Sequence, residues 1–231
     1  MTRLRDLTVS VLLATTLAAA TERTERSLIH ENFESVAVGQ VPKSAITVWP
    51  GGAGEPLGNV GVQAIPNGGK ALRMTNAAHA ANRAPSAGIK WPLGSGSEVV
   101  AVSVEYRFMI PIDGPYLSVT YLGGDWKTGA AVFMAGNGNF TVQYGEHEAR
   151  IAMGTYEPNR WYTIRFDVDS AERTVSVFLD GKKKLNRLPW QPGASAVTRV
   201  NVFADFANTD HRGEPVLYLD DVTVKTLARR P

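Results

Sequence analysis

The chain has 231 residues, of which 44% are hydrophobic and 20% are charged, and these proportions are typical of a globular domain. With 24 basic and 22 acidic residues the formal net charge is +2, and no basic stripe carries interleaved aromatic residues, so the sequence argues against nucleic-acid binding. Cysteine is absent, which excludes disulfide bonds and thiolate metal sites.

Residues 1–20 have the three parts of a secretory signal peptide. A basic start is followed by an apolar run over residues 7–17 and by three alanines that end at Ala20. We expect cleavage near Ala20 and a protein that is secreted or held in the periplasm or cell envelope. The alternatives are an N-terminal anchor and a frayed helix. The apolar run is short for a bilayer crossing and no other stretch approaches that length, so no membrane span is predicted.

The remaining chain is predicted to form one domain. Residues 21–27 are charged and aperiodic, which is typical of a flexible leader. The domain is placed at residues 28–226, with a tail at residues 227–231, because no boundary within it is marked by a sharp change in composition. No repeat of fixed period is present either.

The clearest pattern lies in residues 159–181. Polar and apolar side chains alternate from Trp161 to Asp169, and after a short polar turn the alternation resumes over residues 174–179. Period-two patterning on both sides of a turn predicts a β-hairpin with one buried face. We expect Trp161, at the start of its first strand, to fill the core.

Further short alternating segments occur along the domain, separated by glycine and proline turns. In chain order they are residues 28–33, 71–75, 98–110, 116–122, 130–135, 139–144, 197–206 and 216–224, with residues 89–92 a weaker candidate. Residues 40–69 are rich in proline and glycine and are predicted to form a covering loop. Roughly ten to thirteen strands without an amphipathic helix predict an all-β antiparallel sandwich or barrel.

Five segments then carry a family resemblance. They are Asn32-Phe33-Glu34, Lys70 to Met74, Asn159 to Tyr162, Val177 to Gly181 and Tyr218 to Val222. Together they resemble secreted jelly-roll domains of the concanavalin A-like lectin/glucanase type, including laminin-G-like modules. The resemblance covers nearly all of residues 28–226 and implies an antiparallel two-sheet β-sandwich. That fold hosts lectins, carbohydrate-binding modules, glycoside hydrolases and polysaccharide lyases, so it does not decide the activity.

The resemblance also implies a structural calcium ion. Many carbohydrate-binding sandwiches join an opening Phe-Glu pair to a closing Leu-Asp-Asp-Val strand through calcium. The matching positions here are Glu34 in the opening segment and Asp220 or Asp221 in the closing strand. Calcium takes several oxygen ligands, which these carboxylates and backbone carbonyls near Gly39 would supply. The alternative is that the two aspartates are polar residues at a strand end.

Two tryptophans, Trp126 and Trp190, lie in predicted loops rather than in alternating strands. Sugars stack their C–H faces on aromatic rings while polar side chains bind the hydroxyl groups, so exposed loop aromatics point to glycan binding. The residues that we expect to line the same surface are Tyr116, Tyr121, Asp125, Asn201 and Asp205. The alternative is that both rings fold back onto the core.

A second constellation has the residue types of a polysaccharide lyase. It consists of Gln143, Tyr144, His147 and Arg150. Lyases use Tyr or His as the base that removes a proton next to a uronate carboxylate, and Arg or Gln to neutralise that carboxylate. The spacing crosses Gly145 and matches no complete lyase motif. An exposed polar hairpin is therefore the favoured explanation.

A third candidate is the acidic series Asp167, Asp169 and Glu172. It looks like the paired-carboxylate strand of laminarinase-type hydrolases, and retaining glycoside hydrolysis needs two carboxyl groups in close proximity. That motif begins with Glu, whereas this one begins with Asp167, and Glu172 falls in the predicted turn. A solvated hairpin tip is the favoured explanation.

The sequence therefore predicts a secreted, non-catalytic, polysaccharide-binding β-sandwich. One alternative is a polysaccharide-degrading enzyme, either a lyase or a glycoside hydrolase, on the same fold. Another is a structural or protein-interaction module of the cell envelope. No nucleotide-binding loop or nucleophile elbow is present in the sequence.

Overall fold

The computed structural model describes residues 25–48, 58–66, 68–76, 87–93, 101–111, 118–123, 129–145, 149–194, 197–204 and 216–227. Throughout these segments the regular structure is β-strand, with no helix. In particular, the described residues include no helix of the length and apolarity needed to cross a membrane.

Fifteen strands are described, numbered here in chain order. They are β1 (Ser27–Glu31), β2 (Ile46–Val48), β3 (Gly58–Ala64), β4 (Lys70–Asn76), β5 (Ala87–Pro92), β6 (Ala101–Met109), β7 (Ser118–Gly123), β8 (Gly129–Gly136), β9 (Asn139–Tyr144), β10 (Ala149–Thr155), β11 (Trp161–Asp169), β12 (Thr174–Leu179), β13 (Lys182–Pro189), β14 (Arg199–Ala204) and β15 (Val216–Thr226).

The strands form two antiparallel sheets. The eight-stranded sheet has the order β13-β12-β11-β6-β15-β4-β3, and β1 also pairs with β15. The seven-stranded sheet has the order β10-β9-β8-β7-β14-β5-β2. The predicted fold class, an all-β antiparallel two-sheet sandwich, is therefore confirmed.

The two longest alternating patterns lie at the centre of the eight-stranded sheet. Burial alternates at every residue of β6 and of β11, as period-two patterning requires. The two strands pair from Trp161 opposite Met109 to Asp169 opposite Ala101. The predicted hairpin of β11 and β12 is confirmed, with Asp169 opposite Thr174 at its turn.

The core between the sheets is rich in aromatic rings. The Phe108 ring in β6 lies edge-on to Phe133 in β8 and Phe140 in β9, at centroid distances of 5.7 and 5.8 Å. These edge-to-face contacts join one sheet to the other and are a favoured aromatic geometry. A buried hydrogen bond between the hydroxyl groups of Tyr106 and Thr120 makes a second link across the core.

Trp161 corrects one expectation. Its position on β11 places it on the outer face of the eight-stranded sheet, with the odd-numbered polar residues, rather than in the core. The guanidinium carbon of Arg107 lies 5.0 Å from the centroid of the Trp161 ring. The alternation that predicted the strand therefore also decides which way this ring faces, and it outweighs the preference of tryptophan for burial.

Four strands fall where the sequence predicted none, namely β2, β3, β10 and β13. Both β10 and β13 are outermost strands and carry mostly exposed residues on both faces. Without a buried face a strand has no alternating pattern to detect. In β13, Lys182, Lys183 and Lys184 are all exposed, and lysines on an edge strand discourage pairing with other chains.

Candidate functional site

One line of paired positions crosses the seven-stranded sheet and brings together residues that the sequence singled out for different reasons. In order over β10, β9, β8, β7, β14 and β5, the line consists of Arg150, Gln143, Val132, Tyr121, Asn201 and Lys90. We call it the outer row. At about 4.8 Å between neighbouring strands it extends for about 24 Å.

The outer row lies on the face of the sheet that points away from the sandwich core. Row members have core residues as neighbours along their own strands, and side chains alternate between the two faces of a strand. Those core neighbours are Val142 in β9, Val200 and Val202 in β14, and Ile89 and Trp91 in β5. The row therefore belongs to the outer face of this sheet.

Much of this outer face is nevertheless buried. Gln143 is 0% exposed and Asn201 is 6% exposed, although both point away from the core. Phe203, two residues after Asn201, is buried on the same face, and its ring lies over Gly88 so closely that a Cβ there would collide with it. The face is therefore a shielded floor that combines polar and apolar groups, as ligand sites commonly do.

Gln143 is the most constrained polar residue in the outer row. Its Oε1 accepts a hydrogen bond from Arg150 Nε over 3.4 Å, whereas its Nε2 is buried and has no partner among the described residues. Buried polar atoms are almost always hydrogen-bonded. An unpaired amide N–H at the floor of this face is the kind of group that a ligand acceptor or a bound water satisfies.

The structure brings the two predicted sets of site residues together only in part. Tyr121 and Asn201 came from the glycan-binding set, Gln143 and Arg150 came from the lyase set, and all four occupy the outer row. The predicted residues that lie outside the described part of the chain are Tyr116, Asp125, Trp126, His147 and Asp205.

Tyr144, one of the two base candidates of the lyase alternative, packs against the hydrophobic core. It follows Gln143 directly in β9, so the alternation of the strand turns the two side chains to opposite faces of the sheet. The described residues therefore do not bring Tyr144 together with Gln143 and Arg150.

Trp190 also differs from its predicted role as an exposed platform. It is 5% exposed and belongs to the core cluster. Its backbone N–H donates to the Arg173 carbonyl over 3.0 Å, and the Arg173 guanidinium carbon lies 5.5 Å from the ring centroid. The ring folds back onto the core because the chain after β13 is tied to the turn between β11 and β12.

The oxygens around Glu34, which the calcium expectation relies on, are engaged by Lys70. The Lys70 backbone N–H donates to Glu34 Oε1 over 2.7 Å, and its Nζ donates to the backbone oxygens of Glu34 at 2.8 Å and Val36 at 3.0 Å. The described residues contain no group of three or more acidic or histidine side chains arranged to hold a metal ion. This donor set does not fit calcium while the ammonium is in place, so the calcium site stays a prediction that requires displacement of Lys70.

Asp220 and Asp221 lie on the same side of the molecule as Glu34 and share one cation. Arg107 Nη1 lies 3.6 Å from Asp220 Oδ2 and 3.1 Å from Asp221 Oδ2. Burial raises the pKa of the Asp220 carboxyl, and the Asp221 and Glu34 carboxylates add to this effect. The Asp221 backbone N–H and Arg107 act in the opposite direction. The Glu34 carboxylate is therefore near enough to influence Asp220 electrostatically.

The acidic series of the central hairpin has structural partners. Asp169 Oδ1 accepts hydrogen bonds from the backbone N–H groups of Ala171 and Glu172, which closes the turn. Asp167 accepts a hydrogen bond from Ser103 Oγ over 2.8 Å. Glu172 pairs with Arg187 in β13 at 3.4 Å. These contacts are those of a solvated hairpin tip.

Two basic residues on the outer face, Lys90 and Arg199, were not singled out from the sequence. Lys90 lies between core residues Ile89 and Trp91, and Arg199 precedes the core residue Val200. The signal that could have found them is a single cation at an alternating position of an otherwise apolar strand. Both strands carry that signal in their sequences, but β5 was only a weak strand candidate.

No protein-family model matches the sequence, and no curated protein matches it. Among solved structures, the chain is similar to a sialidase with a TM-score of 0.67 and 12% identity, over 86% of this chain and 18% of the sialidase. It is also similar to the carbohydrate esterase vb_24B_21 from Shiga toxin-encoding bacteriophage phi24B, with a TM-score of 0.61 and 15% identity, over 88% of this chain and 99% of that one.

A third similar structure is the cellulose induced protein Cip1, with a TM-score of 0.60 and 10% identity, over 86% of this chain and 97% of that one. At these identities the likeness shows the fold alone. The chain also spans less than a fifth of the sialidase. The narrower resemblance to concanavalin A-like or laminin-G-like domains stays a prediction, and the fold itself is an antiparallel β-sandwich of the kind found in these three proteins.

Proposed function

We propose that this protein is a secreted, non-catalytic module that binds polysaccharide along the outer row of the seven-stranded sheet. The observation that carries the proposal is the outer row itself. It aligns the positions of Tyr121, Asn201 and Gln143 across three different strands of one sheet. Two residues predicted for glycan binding and one predicted for the lyase alternative thus occupy one continuous line.

The physical character of this face suits a sugar chain. A polysaccharide is extended, and the row extends for about 24 Å across the strands. Sugar hydroxyl groups need hydrogen-bonding partners, and Gln143 offers a buried amide N–H that no described residue satisfies. The outer face also carries the apolar residues Val132 and Phe203, and a mixture of polar and apolar groups is common in ligand sites.

The similar structures support a carbohydrate ligand at the level of the fold. Two of the three named above are a sialidase and a carbohydrate esterase, and the third is a cellulose induced protein. Because one fold hosts many activities, this support is weaker than that of the outer row. The proposal is for binding because Tyr144, one of the two base candidates, faces the core, away from Gln143.

The test is affinity electrophoresis of the purified protein in gels that contain individual polysaccharides, with ultraviolet absorbance and reducing-end assays on the same mixtures. We expect retardation by at least one polysaccharide and no product in either assay. The variants Asn201→Ala and Tyr121→Ala should each weaken binding about fivefold, since one hydrogen bond or stacking contact contributes about 1 kcal/mol. Thermal unfolding of each variant shows whether the fold is kept.

The matched controls lie on the eight-stranded sheet. Gln63→Ala changes an exposed amide in β3, and Trp161→Ala removes a ring from the outer face of β11. Neither should alter retardation. If these controls weaken binding while Asn201→Ala and Tyr121→Ala do not, the polysaccharide binds the eight-stranded sheet and the proposed site is wrong. Formation of unsaturated or reducing products would contradict the proposed binding module and show that the protein is an enzyme.

A further inference from the structure

Positive charge is concentrated at one edge of the eight-stranded sheet. Residues 149–194 are described without a gap, and they contain eight basic and five acidic residues. Three consecutive lysines, Lys182, Lys183 and Lys184, begin β13, the outermost strand of this sheet, and all three are exposed. We call these three residues the basic edge.

The five acidic residues of this stretch are engaged by other groups. Asp169 accepts hydrogen bonds from backbone N–H groups in the turn between β11 and β12. The other four carboxylates each lie 3.2–3.9 Å from an arginine nitrogen. The pairs are Glu157 and Asp180 with Arg160, Asp167 with Arg165, and Glu172 with Arg187. Within residues 149–194, no carboxylate pairs with the basic edge, so its three positive charges stay uncompensated there.

The arginines and the lysines of this stretch have different environments. The arginines make specific contacts, such as the hydrogen bond from Arg173 Nη2 to the backbone oxygen of Ala194 over 2.7 Å. Among the described contacts of the basic edge, the only hydrogen bond runs from Lys183 Nζ to Asn186 Oδ1 over 3.3 Å. A lysine ammonium is a compact charge on a flexible stem, whereas a guanidinium group binds in a fixed planar geometry. The basic edge therefore suits a partner that is held by charge and imposes no fixed geometry.

A β-bulge in β13 presents the lysines. Val177 pairs with Leu185 and Phe178 pairs with Lys183, so one extra residue, Lys184, lies between two successive pairs. In a regular strand, residues two positions apart share a face. Here Leu185 packs against the core, whereas Lys183 Nζ lies 5.3 Å from the centroid of the Phe178 ring on the other face. Bulges and lysines both discourage pairing with another strand, so this edge is open to a partner that does not add to the sheet.

We propose that the basic edge is a second contact surface, which binds a polysaccharide that carries carboxylate or sulfate groups. A linear polymer with repeated negative charges lets each lysine meet a different acidic group, and the flexible stems adapt to the spacing. The choice of a polysaccharide among polyanions rests on the proposed function. The surface itself does not depend on the outer row, because β13 belongs to the other sheet.

Two other anionic partners suit the basic edge less well. Binding in a membrane surface needs apolar side chains beside the cations. The exposed neighbours of the basic edge are Asp180, Gly181, Asn186 and Arg187, which are not apolar. A nucleic-acid-binding domain is typically strongly basic as a whole, whereas the formal net charge here is +2. A local contact with an acidic polysaccharide requires neither feature.

The experiment compares polysaccharides that differ only in charge. Polygalacturonate is paired with its methyl-esterified form, and dextran sulfate is paired with dextran, each in affinity electrophoresis at two salt concentrations. Double-stranded DNA is a further polyanion in the panel. We expect at least one acidic polysaccharide to retard the protein more than its neutral partner does. Added salt should reduce this difference, because ions screen exposed charges.

Two triple variants locate the binding surface. Changing all three lysines of the basic edge to Gln should lower affinity for the acidic polysaccharide about tenfold, at roughly twofold for each exposed charge. The matched control combines Arg26→Gln, Lys43→Gln and Lys225→Gln, which removes the same charge from exposed positions outside β13. The control should leave the affinity unchanged. Equal losses in the two triple variants would show an effect of net charge alone and would overturn the inference. Retardation by DNA and by neither acidic polysaccharide would also overturn it.

Two further outcomes separate this inference from the proposed function. Equal retardation by acidic and neutral polymers, lost in Asn201→Ala and kept in the triple lysine variant, would overturn the basic edge and leave the outer row intact. Retardation by acidic polymers alone, lost in the triple lysine variant and kept in Asn201→Ala, would support the basic edge and contradict the outer row.

Discussion

Arg150 and Gln143 are direct partners across β10 and β9, and the Nε of the arginine donates a hydrogen bond to the Oε1 of the glutamine over 3.4 Å. This contact orients the amide, so the Nε2 of Gln143 is left buried and without a partner among the described residues. The side chain is 0% exposed. A buried, unsatisfied N–H group lowers the stability of the folded protein.

Gln143→Met should therefore separate stability from binding. Methionine has a similar shape and no amide N–H, so the Tm should stay the same or rise, while affinity for the bound polysaccharide should fall about tenfold. Thermal unfolding and affinity electrophoresis measure the two effects. Gln63→Met in β3 is the matched control and should change neither. A lower Tm with unchanged affinity would show that the amide has a structural role instead.

Asp220 predicts a pH dependence of stability. Burial raises the pKa of its carboxyl in the folded protein, so the protonated form favours folding. This contribution is complete below the unfolded pKa of about 3.9 and is lost as the pH rises through the higher folded value. In the wild type, Asp220 Oδ1 accepts a hydrogen bond from the Asp221 backbone N–H over 2.8 Å. The Asp220→Asn variant keeps an oxygen for this hydrogen bond and removes the charge.

The Tm of Asp220→Asn should equal that of the wild type at about pH 3 and exceed it at about pH 7. Thermal unfolding across this range measures the difference. A variant that is less stable than the wild type at neutral pH would mean that the Arg107 ion pair outweighs the cost of burial.

The contacts of the Lys70 ammonium with Glu34 and Val36 predict that it stabilises this segment of the folded protein. Lys70→Met removes two hydrogen bonds from the ammonium, to the backbone oxygens of Glu34 and Val36, and should lower the stability by about 1–2 kcal/mol. Added calcium should restore part of the lost Tm, because it would bind the oxygens that the ammonium leaves. Calcium should change the wild-type Tm little. A wild-type Tm that falls when a chelator is added would show that calcium binds while Lys70 is in place.

The link between the sheets at Tyr106 and Thr120 predicts a double-mutant effect. Tyr106→Phe leaves the hydroxyl of Thr120, which is 0% exposed, without its partner and should cost about 1–3 kcal/mol. Thr120→Val in addition removes the orphaned hydroxyl and should recover part of that loss. Denaturant unfolding of both single variants and the double variant measures the coupling. Additive losses would show that the two hydroxyl groups contribute independently.

The sequence predicted the fold well where a strand has one buried and one exposed face. In β11, the alternation between Tyr162 and its polar neighbours identifies both the strand and the faces. The same rule fails for β13, because an edge strand with Lys182 to Lys184 exposed has no apolar face to reveal it. The prediction that Trp161 fills the core was wrong, because the alternation of β11 outweighs the preference of tryptophan for burial.

The candidate site was only partly predictable, for a different reason. Alternation assigns Gln143 and Asn201 each to a face of its own strand, but it does not say which strands are neighbours. The outer row depends on β9, β8, β7 and β14 lying side by side in register. Such long-range pairing is set by packing of the whole domain and has no local signature in the sequence.

The place of β15 in the eight-stranded sheet has a consequence for how the chain folds. β15 lies between β6 and β4 and also pairs with β1. The Arg26 backbone N–H donates a hydrogen bond to Thr226 Oγ1, across a separation of 200 residues. Contacts between such distant parts of a chain form slowly. Until Val216 and the residues after it have been synthesised, β6 and β4 each have an open edge that can pair with another chain. Until β15 is made, the chain cannot complete this sheet, and the open edges of β6 and β4 leave it prone to aggregation.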